Sequence, residues 1–596
     1  MIYKYLRFLV FVLCSGLLAC LPACKSSLLR DPQEKPNVIV ILTDDQGWGD
    51  LSFHGNTNLN TPNIDRLAAS GTSFDRFYVC PVCSPTRAEL LTGRYHPRMG
   101  VYSTSEGGER MDADETTIAD VFKASGYATA AFGKWHNGMQ HPYHPNARGF
   151  DEYYGFCSGH WGHYFSPMLE RNGKIVTGTG FIIDDLTDHA IDFIKTNSDN
   201  PFFLYIPYNT PHGPMQVPDE YWDRLKDAPL EMLHRDPEKE DTMFTRAALA
   251  MCENIDYNVG RIMDKLEEAD LEENTIVVFL CDNGPNSWRW NDGMKGRKGS
   301  TDEGGVRSPL FIRWKGMIEE GREISEIGAA IDLLPTLADM AGIVADGTKP
   351  LDGISLKPLI LDGGAPTTDR IIFSHWAGRV SARTRQYRMD HEGNLYDMIK
   401  DPGQYTNIAE QQAEIAQRLM LATDEWKQTV LAGLPEKDDR SFHIGYQVSR
   451  YTQIPARDGV GHGNIVRSNR WPNCSYYTNW ISADDRITWD VEVAEPGDYE
   501  VTLYYTCPAG DIGSEFRLSF NESIATAMIS EAHDPPLVGM DEDRVERQNS
   551  YVKDWKPMKL PVMYLEKGRG ELTLQALNIP GSQVMDFRLL MFERIE

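Results

Sequence analysis

The sequence predicts an α/β protein with a large mixed, mainly parallel sheet flanked by helices, then a small α+β unit and an all-β sandwich. Three observations predict it. From Asn37 onward, apolar β-rich runs alternate with helical stretches, as in strand–helix–strand units. The runs are continuous rather than alternating, as in strands covered on both faces. Beyond Arg440 the texture changes to strict alternation broken by turn residues, which suits a sandwich with one buried face. At 596 residues the chain exceeds one ordinary core. The expected divisions are 1–24, an export signal; 25–365, the α/β domain; 366–435, the α+β unit; and 441–596, the sandwich.

In chain order, Lys4 and Arg7 precede an apolar run, Phe8–Leu18, that is too short to span a membrane. Cys20 and Cys24 each follow a small residue, in Leu-Leu-Ala-Cys and Leu-Pro-Ala-Cys. This resembles a bacterial lipoprotein signal, with lipid on one of the two thiols. It implies export to the periplasm or cell surface, with the membrane touched only through that anchor. An ordinary signal peptide is the alternative. Cys14 also falls in this signal region, and the remaining seven of the ten cysteines are odd in number and scattered, which is not a disulfide framework.

Four runs read as buried strands: Val38–Leu42, Tyr127–Phe132, Phe202–Ile206 and Thr275–Leu280. The polar residues at their ends matter more. Asp44 and Asp45 come after the first run, Lys134 and His136 after the second, His212 after the third, Asp282 and Asn283 after the fourth. Sites in open α/β sheets form outside the carboxyl ends of the strands, so the four endings predict one shared site. Each alone could be a polar strand cap, and Asp282-Asn283-Gly284-Pro285 is also a good turn. The net charge of −28 excludes a nucleic-acid binder. It also means that a site for an anion must gather its own positive charge.

Cys83–Arg94 is the sharpest segment. Ser84 is a good helix cap, Pro85 suits the first helical position and Gly93 a helix stop. Cys83 is thereby expected at a helix N-terminus, where amides and dipole favour an anion. Cys80-Pro81-Val82-Cys83 also fits a redox or zinc half-site, but no second cysteine pair lies nearby.

Cys-x-Pro-x-Arg followed by Leu-Thr-Gly closely resembles the signature of type I sulfatases, members of the alkaline phosphatase superfamily. Gly126–Gly138 resembles their second signature. Asp44–Gly47, Pro211–Pro214, Asp282–Gly284, and Lys298 ahead of Glu303–Pro309 come in family order, over roughly residues 36–410. Three segments depart from the pattern: Glu89, where a small residue is usual; Met294-Lys295-Gly296 before Lys298; and Tyr405. The resemblance implies that a maturase oxidises Cys83 to formylglycine. It implies Asp44, Asp45, Asp282 and Asn283 as ligands of one Ca²⁺, with Mg²⁺ possible. It gives Arg87, Lys134 and Lys298 the role of charge stabilisation, His212 that of general acid and His136 that of the base that releases sulfate. A formylglycine-dependent phosphonate or phosphodiester hydrolase is the nearer rival, and a non-catalytic glycan-binding protein the more distant one.

Around that core, His160-Trp161-Gly162-His163-Tyr164 suggests a saccharide subsite through His160 and His163, or else a packed loop. Short strands at Ile371–His375 and Gln386–Met389, with a helix over about 409–429, make the α+β unit, and 436–440 reads as a linker. The alternating sets Ile487/Trp489/Val491/Val493 and Tyr499/Val501/Leu503/Tyr505 begin the sandwich, which resembles carbohydrate-binding jelly rolls. A structural cap fits as well. The expected partner is a sulfated carbohydrate.

Overall fold

The computed structural model of the protein describes residues 35–345, 347–364, 370–435 and 438–595. The export segment with Cys20 and Cys24 lies outside them, as do residue 365 and residues 436–437 at the expected boundaries. The four runs form strands β1 (Asn37–Thr43), β2 (Ala128–Lys134), β3 (Phe202–Pro207) and β4 (Thr275–Cys281). They are direct neighbours, all parallel, in the order β4-β1-β3-β2. Their four carboxyl ends therefore open on one place.

Every residue of β1, β3 and β4 is buried, which explains the unbroken apolar runs. Ile39 and Ile41 face one core, shared with the helices Ile182–Thr196 and Thr242–Glu268. Val38, Val40 and Leu42 face the other, against Leu90, Ile118 and Leu333. Each such side chain contributes about 1.5–3 kcal/mol of burial. The sheet reaches eleven strands by adding antiparallel members at both margins, among them Leu310–Arg313 and the hairpin Met168–Arg171/Lys174–Thr177.

The α+β unit is a four-stranded antiparallel sheet, Ile372–Trp376 to Leu395–Asp397, with the helix Ala413–Trp426 packed on it. Beyond it two β-sheets of six and seven strands enclose Ile487, Trp489, Val491, Val501 and Leu503, each at most 1% exposed. Pro36–Glu596 is one compact unit. The expected linker is tied down where it is described, since Arg440 pairs with Asp438 at 2.7 Å and with Asp112 at 3.0 Å. Arg457 of the sandwich is buried against the α/β domain, 2.7 Å from Glu109 and bonded to the Ser158 hydroxyl at 3.0 Å. Among the described residues no helix is long and apolar enough to cross a membrane.

Candidate active site

The segment after Val82 forms α1 (Cys83–Thr92). Its cap is the extended Val82 (φ −145°, ψ 162°), so Cys83 itself is the first helical residue and Pro85 the third. The expected Ser84 cap is corrected: Ser84 is buried, and its hydroxyl accepts from the Asn137 amide at 3.3 Å. Gly93 ends the helix as expected, at φ 71° with its N–H on the Glu89 carbonyl. Thr86 locks the helix to β4, donating its hydroxyl to the Asp282 carbonyl at 2.6 Å while accepting from Cys80 N–H at 2.9 Å.

Glu89, in the last turn of this helix, is buried and accepts from His96 N–H at 3.1 Å, and burial pushes its carboxyl up to about 8. The folded state thus keeps a proton that the unfolded chain releases above about 4.5. The stability it contributes is present at low pH and is lost as pH rises towards 8. Glu89→Gln should match wild type in urea unfolding at pH 5 and exceed it by about 3 kcal/mol at pH 8. Parallel curves at both pH values would contradict that placement.

The strand ends meet beneath Cys83. One ligand atom each from Asp44, Cys83 and Asp282 lie within 4.8 Å of one another, as do atoms of Asp44, Asp45 and His212. Asn283 donates its amide to Asp45 Oδ1 at 2.7 Å, which leaves its Oδ1 buried without a partner. Asp44 Oδ1 is equally orphaned. Unpartnered buried oxygens are costly, and these two belong to a set of three buried carboxylates and an amide. A hard divalent cation fits that donor set; zinc, which favours nitrogen and sulfur, does not.

Three cationic side chains interlock with the carboxylates. Arg87 donates to Asp282 Oδ2 at 2.9 Å and to the Lys134 carbonyl at 2.7 Å. Lys134 Nζ reaches Asp44 Oδ2 at 2.6 Å, and Lys298 Nζ lies 2.7 Å from Asp45 Oδ1. Burial pushes Asp44 up, but Lys134, His212, Arg87 and Lys298 together hold it far below the carboxylate range. Asp282 goes the other way, raised by burial and by the charge of Asp44. The local positive charge demanded by the acidic chain is thus present.

The histidines hold different proton positions. His136 Nε2 bonds the Thr104 carbonyl at 2.9 Å, so Nε2 carries the hydrogen and the buried, unpartnered Nδ1 carries the lone pair. Burial, and next Lys134, keep this ring neutral. His212 bonds the Gly213 carbonyl through Nδ1 at 2.8 Å, and its Nε2 is 3.7 Å from Asp45 Oδ2. Burial and Lys298 lower it to about 4, against the pull of Asp45 and Asp44. Asp45 and His136 both have φ of 66°, a left-handed conformation that costs about 1–2 kcal/mol and gathers at functional sites.

The Sulfatase family model matches residues 36–343. The chain belongs to the sulfatase family. It is 33% identical over 392 residues to the N-acetylgalactosamine-6-sulfatase of Canis lupus familiaris, covering 59% of this chain and 70% of the relative. It is 30% identical over 443 residues to Homo sapiens arylsulfatase A, covering 63% and 83%. Among solved structures it resembles Ps i-CgsB in complex with k-i-k-neocarrahexaose, with TM-score 0.62 and 31% identity over 68% of this chain and 95% of that one. The sulfatase is accordingly a sulfuric ester hydrolase with the sheet of the alkaline phosphatase superfamily.

Above Cys83 the sulfatase opens a cavity of about 830 Å³, with His136, His160, His212 and Lys298 in its lining. The His160 ring lies parallel to that of His212, centroids 5.9 Å apart. His163 lies outside that lining. Trp161 packs on Phe156 (5.0 Å between ring centroids), and beyond Gly162 the chain carries His163 against Phe165 and the 539–547 loop. Other residues that sequence reasoning missed surround the site. Asn473 of the sandwich donates to the Thr104 carbonyl at 3.2 Å, the same oxygen that orients His136. Trp376 of the α+β unit and two sandwich loops, 470–473 and 545–549, reach the cavity. No spacing in a single sequence brings those loops to Cys83.

Proposed function

We propose that this sulfatase removes sulfate from a sulfated glycan, with Cys83 converted by a maturase to formylglycine and one Ca²⁺ held by Asp44, Asp45, Asp282 and Asn283. One observation carries the reading: the adjacent ends of β1 and β4 bring three buried carboxylates, with two orphaned oxygens among the donors, to the N-terminal residue of α1. The glycan is supported by an aminosugar sulfatase among the relatives and a neighbour crystallised with a neocarrahexaose. When bound, the cation and the hydrated formylglycine supply the polarisation of sulfate and the oxygen nucleophile that a thiol cannot.

The chain's own residues do the rest. Arg87, fixed at two points, and Lys298 at the cavity floor offset the charge that gathers on the sulfate oxygens. Lys134 sits below, holding Asp44. An incoming sulfate ester adds negative charge beside His212, which raises its affinity for a proton at Nε2. That proton goes to the departing alcohol oxygen. His136 works in the opposite direction, its bare Nδ1 accepting a proton from the side chain at position 83 as sulfate is expelled. We further propose export as a lipoprotein, carried by Cys20 or Cys24.

The test is sulfate release, measured by ion chromatography, from sulfated mono- and oligosaccharides beside an aryl phosphodiester. Sulfate release from at least one saccharide, faster than phosphodiester turnover, is expected. Phosphodiester turnover without sulfate release would overturn the reading.

A further inference from the structure

One wall of the catalytic cavity belongs to the C-terminal sandwich. The loops 470–473 and 545–549 both reach the lining that includes Cys83 and His212. They are bolted together, since the Asn469 amide donates to the Gln548 carbonyl at 2.9 Å and the Ser468 and Ser550 hydroxyls meet at 2.6 Å. Asn473 fastens them to the α/β domain, donating to Thr104 and accepting from Gly159 N–H at 3.1 Å.

On this rigid wall Trp471 is 45% exposed, a large apolar ring left in contact with the cavity. The Arg470 guanidinium lies 4.8 Å from its centroid, and among the described residues no carboxylate pairs with Arg470. Neighbouring Arg547 is different: Asp543 holds it at 2.5 Å. Of the acids in the lining, Glu106 is paired with Arg467 at 3.0 Å and Asp241 caps a helix. Glu546 is exposed on the second loop. An indole face suits the C–H face of a sugar, and a free guanidinium beside it suits an anionic group. In a chain of net charge −28, an unpaired arginine at the cavity wall is a local attractor for anions.

We propose that the sandwich completes the substrate site as a second saccharide subsite. Trp471 stacks on the sugar next to the one that bears the scissile sulfate, and Arg470 takes an anionic group on that neighbour, a second sulfate or a uronate carboxylate. The substrate is then a multiply charged oligosaccharide. This rests on the sulfated-glycan reading above and adds what recognises the second ring.

The experiment compares wild type, Trp471→Ala and Arg470→Gln. The substrates are 4-nitrophenyl sulfate and oligosaccharides whose neighbouring sugar carries sulfate, a carboxylate or no charge. Trp471→Ala should lower kcat/KM roughly 10-fold on all the oligosaccharides and leave the aryl sulfate unchanged. Arg470→Gln should lower it only where the neighbour is charged, and the substrate affected names the anion. Equal losses on aryl sulfate and oligosaccharides, or no loss at all, would overturn the subsite. If wild type releases no sulfate, the catalytic reading is what fails. The subsite is then decided by calorimetric binding of the same oligosaccharides: weaker binding by Trp471→Ala supports it, and equal or absent binding ends it.

Discussion

Cys83→Ala should lose at least ~10⁴-fold in kcat for sulfate release, the scale seen when a covalent nucleophile is removed, while melting close to wild type. The two halves of this expectation have separate causes. Cys83 is the first residue of a helix whose cap is the Val82 backbone, and its neighbours are fixed by Thr86, Ser84 and Gly93 rather than by the thiol. Alanine keeps the helix and removes a small side chain, so the fold survives. The chemistry does not, because position 83 is where a lining side chain meets Asp44 and Asp282, and alanine leaves no group there to attack sulfur. Peptide mass spectrometry of wild type supplies the second readout: the position-83 peptide should lack its thiol sulfur and carry an aldehyde. An unmodified cysteine in fully active enzyme, or an active alanine variant, would end the formylglycine mechanism.

The strand ends are legible in the sequence for a physical reason. A parallel strand buried on both faces has no freedom to alternate, so β1, β3 and β4 stand out as apolar runs, and the polar residues after each must sit at one edge of the sheet. Adjacency is what a sequence cannot carry. That β1 lies between β4 and β3 comes from pairing registers, and only that adjacency brings Asp44 to Asp282. The Ser84 cap fails because propensity describes an exposed helix start, whereas this one is buried and its hydroxyl is used by Asn137. That His160 lines the cavity and His163 does not was illegible for a related reason, since a run of aromatic and imidazole residues says nothing about which side of the loop each takes.

The sandwich is the largest gap between sequence and site. Its alternation reveals two sheets and their core, Trp489 and Val501 included, but core residues do not say where the loops point. Arg457 and Asn473 decide that. A buried guanidinium paired with Glu109 and Asp458 ties the sandwich to the α/β domain, and Asn473 extends the tie to the oxygen that orients His136. The ring of His136 is thereby tied to a domain outside the matched family segment, 36–343.

Asp282→Asn tests the cation site with two independent readouts. The side chain keeps its size and the Thr86 bond to the backbone carbonyl still holds the helix, but one of three carboxylates is neutralised. Cation binding should weaken, and with it the charge stabilisation a divalent ion supplies, about 4 kcal/mol or roughly 10³-fold in rate. The second readout needs no turnover. A cation that binds only the folded protein stabilises it by about 2.7 kcal/mol at one hundred times its dissociation constant, so wild type should melt higher with calcium than with a chelator. In Asp282→Asn that difference should shrink sharply, since the holo form loses a charged ligand. A calcium-dependent melting shift that is equal in both proteins would place the ion elsewhere, and the orphaned oxygens of Asp44 and Asn283 would then need another partner.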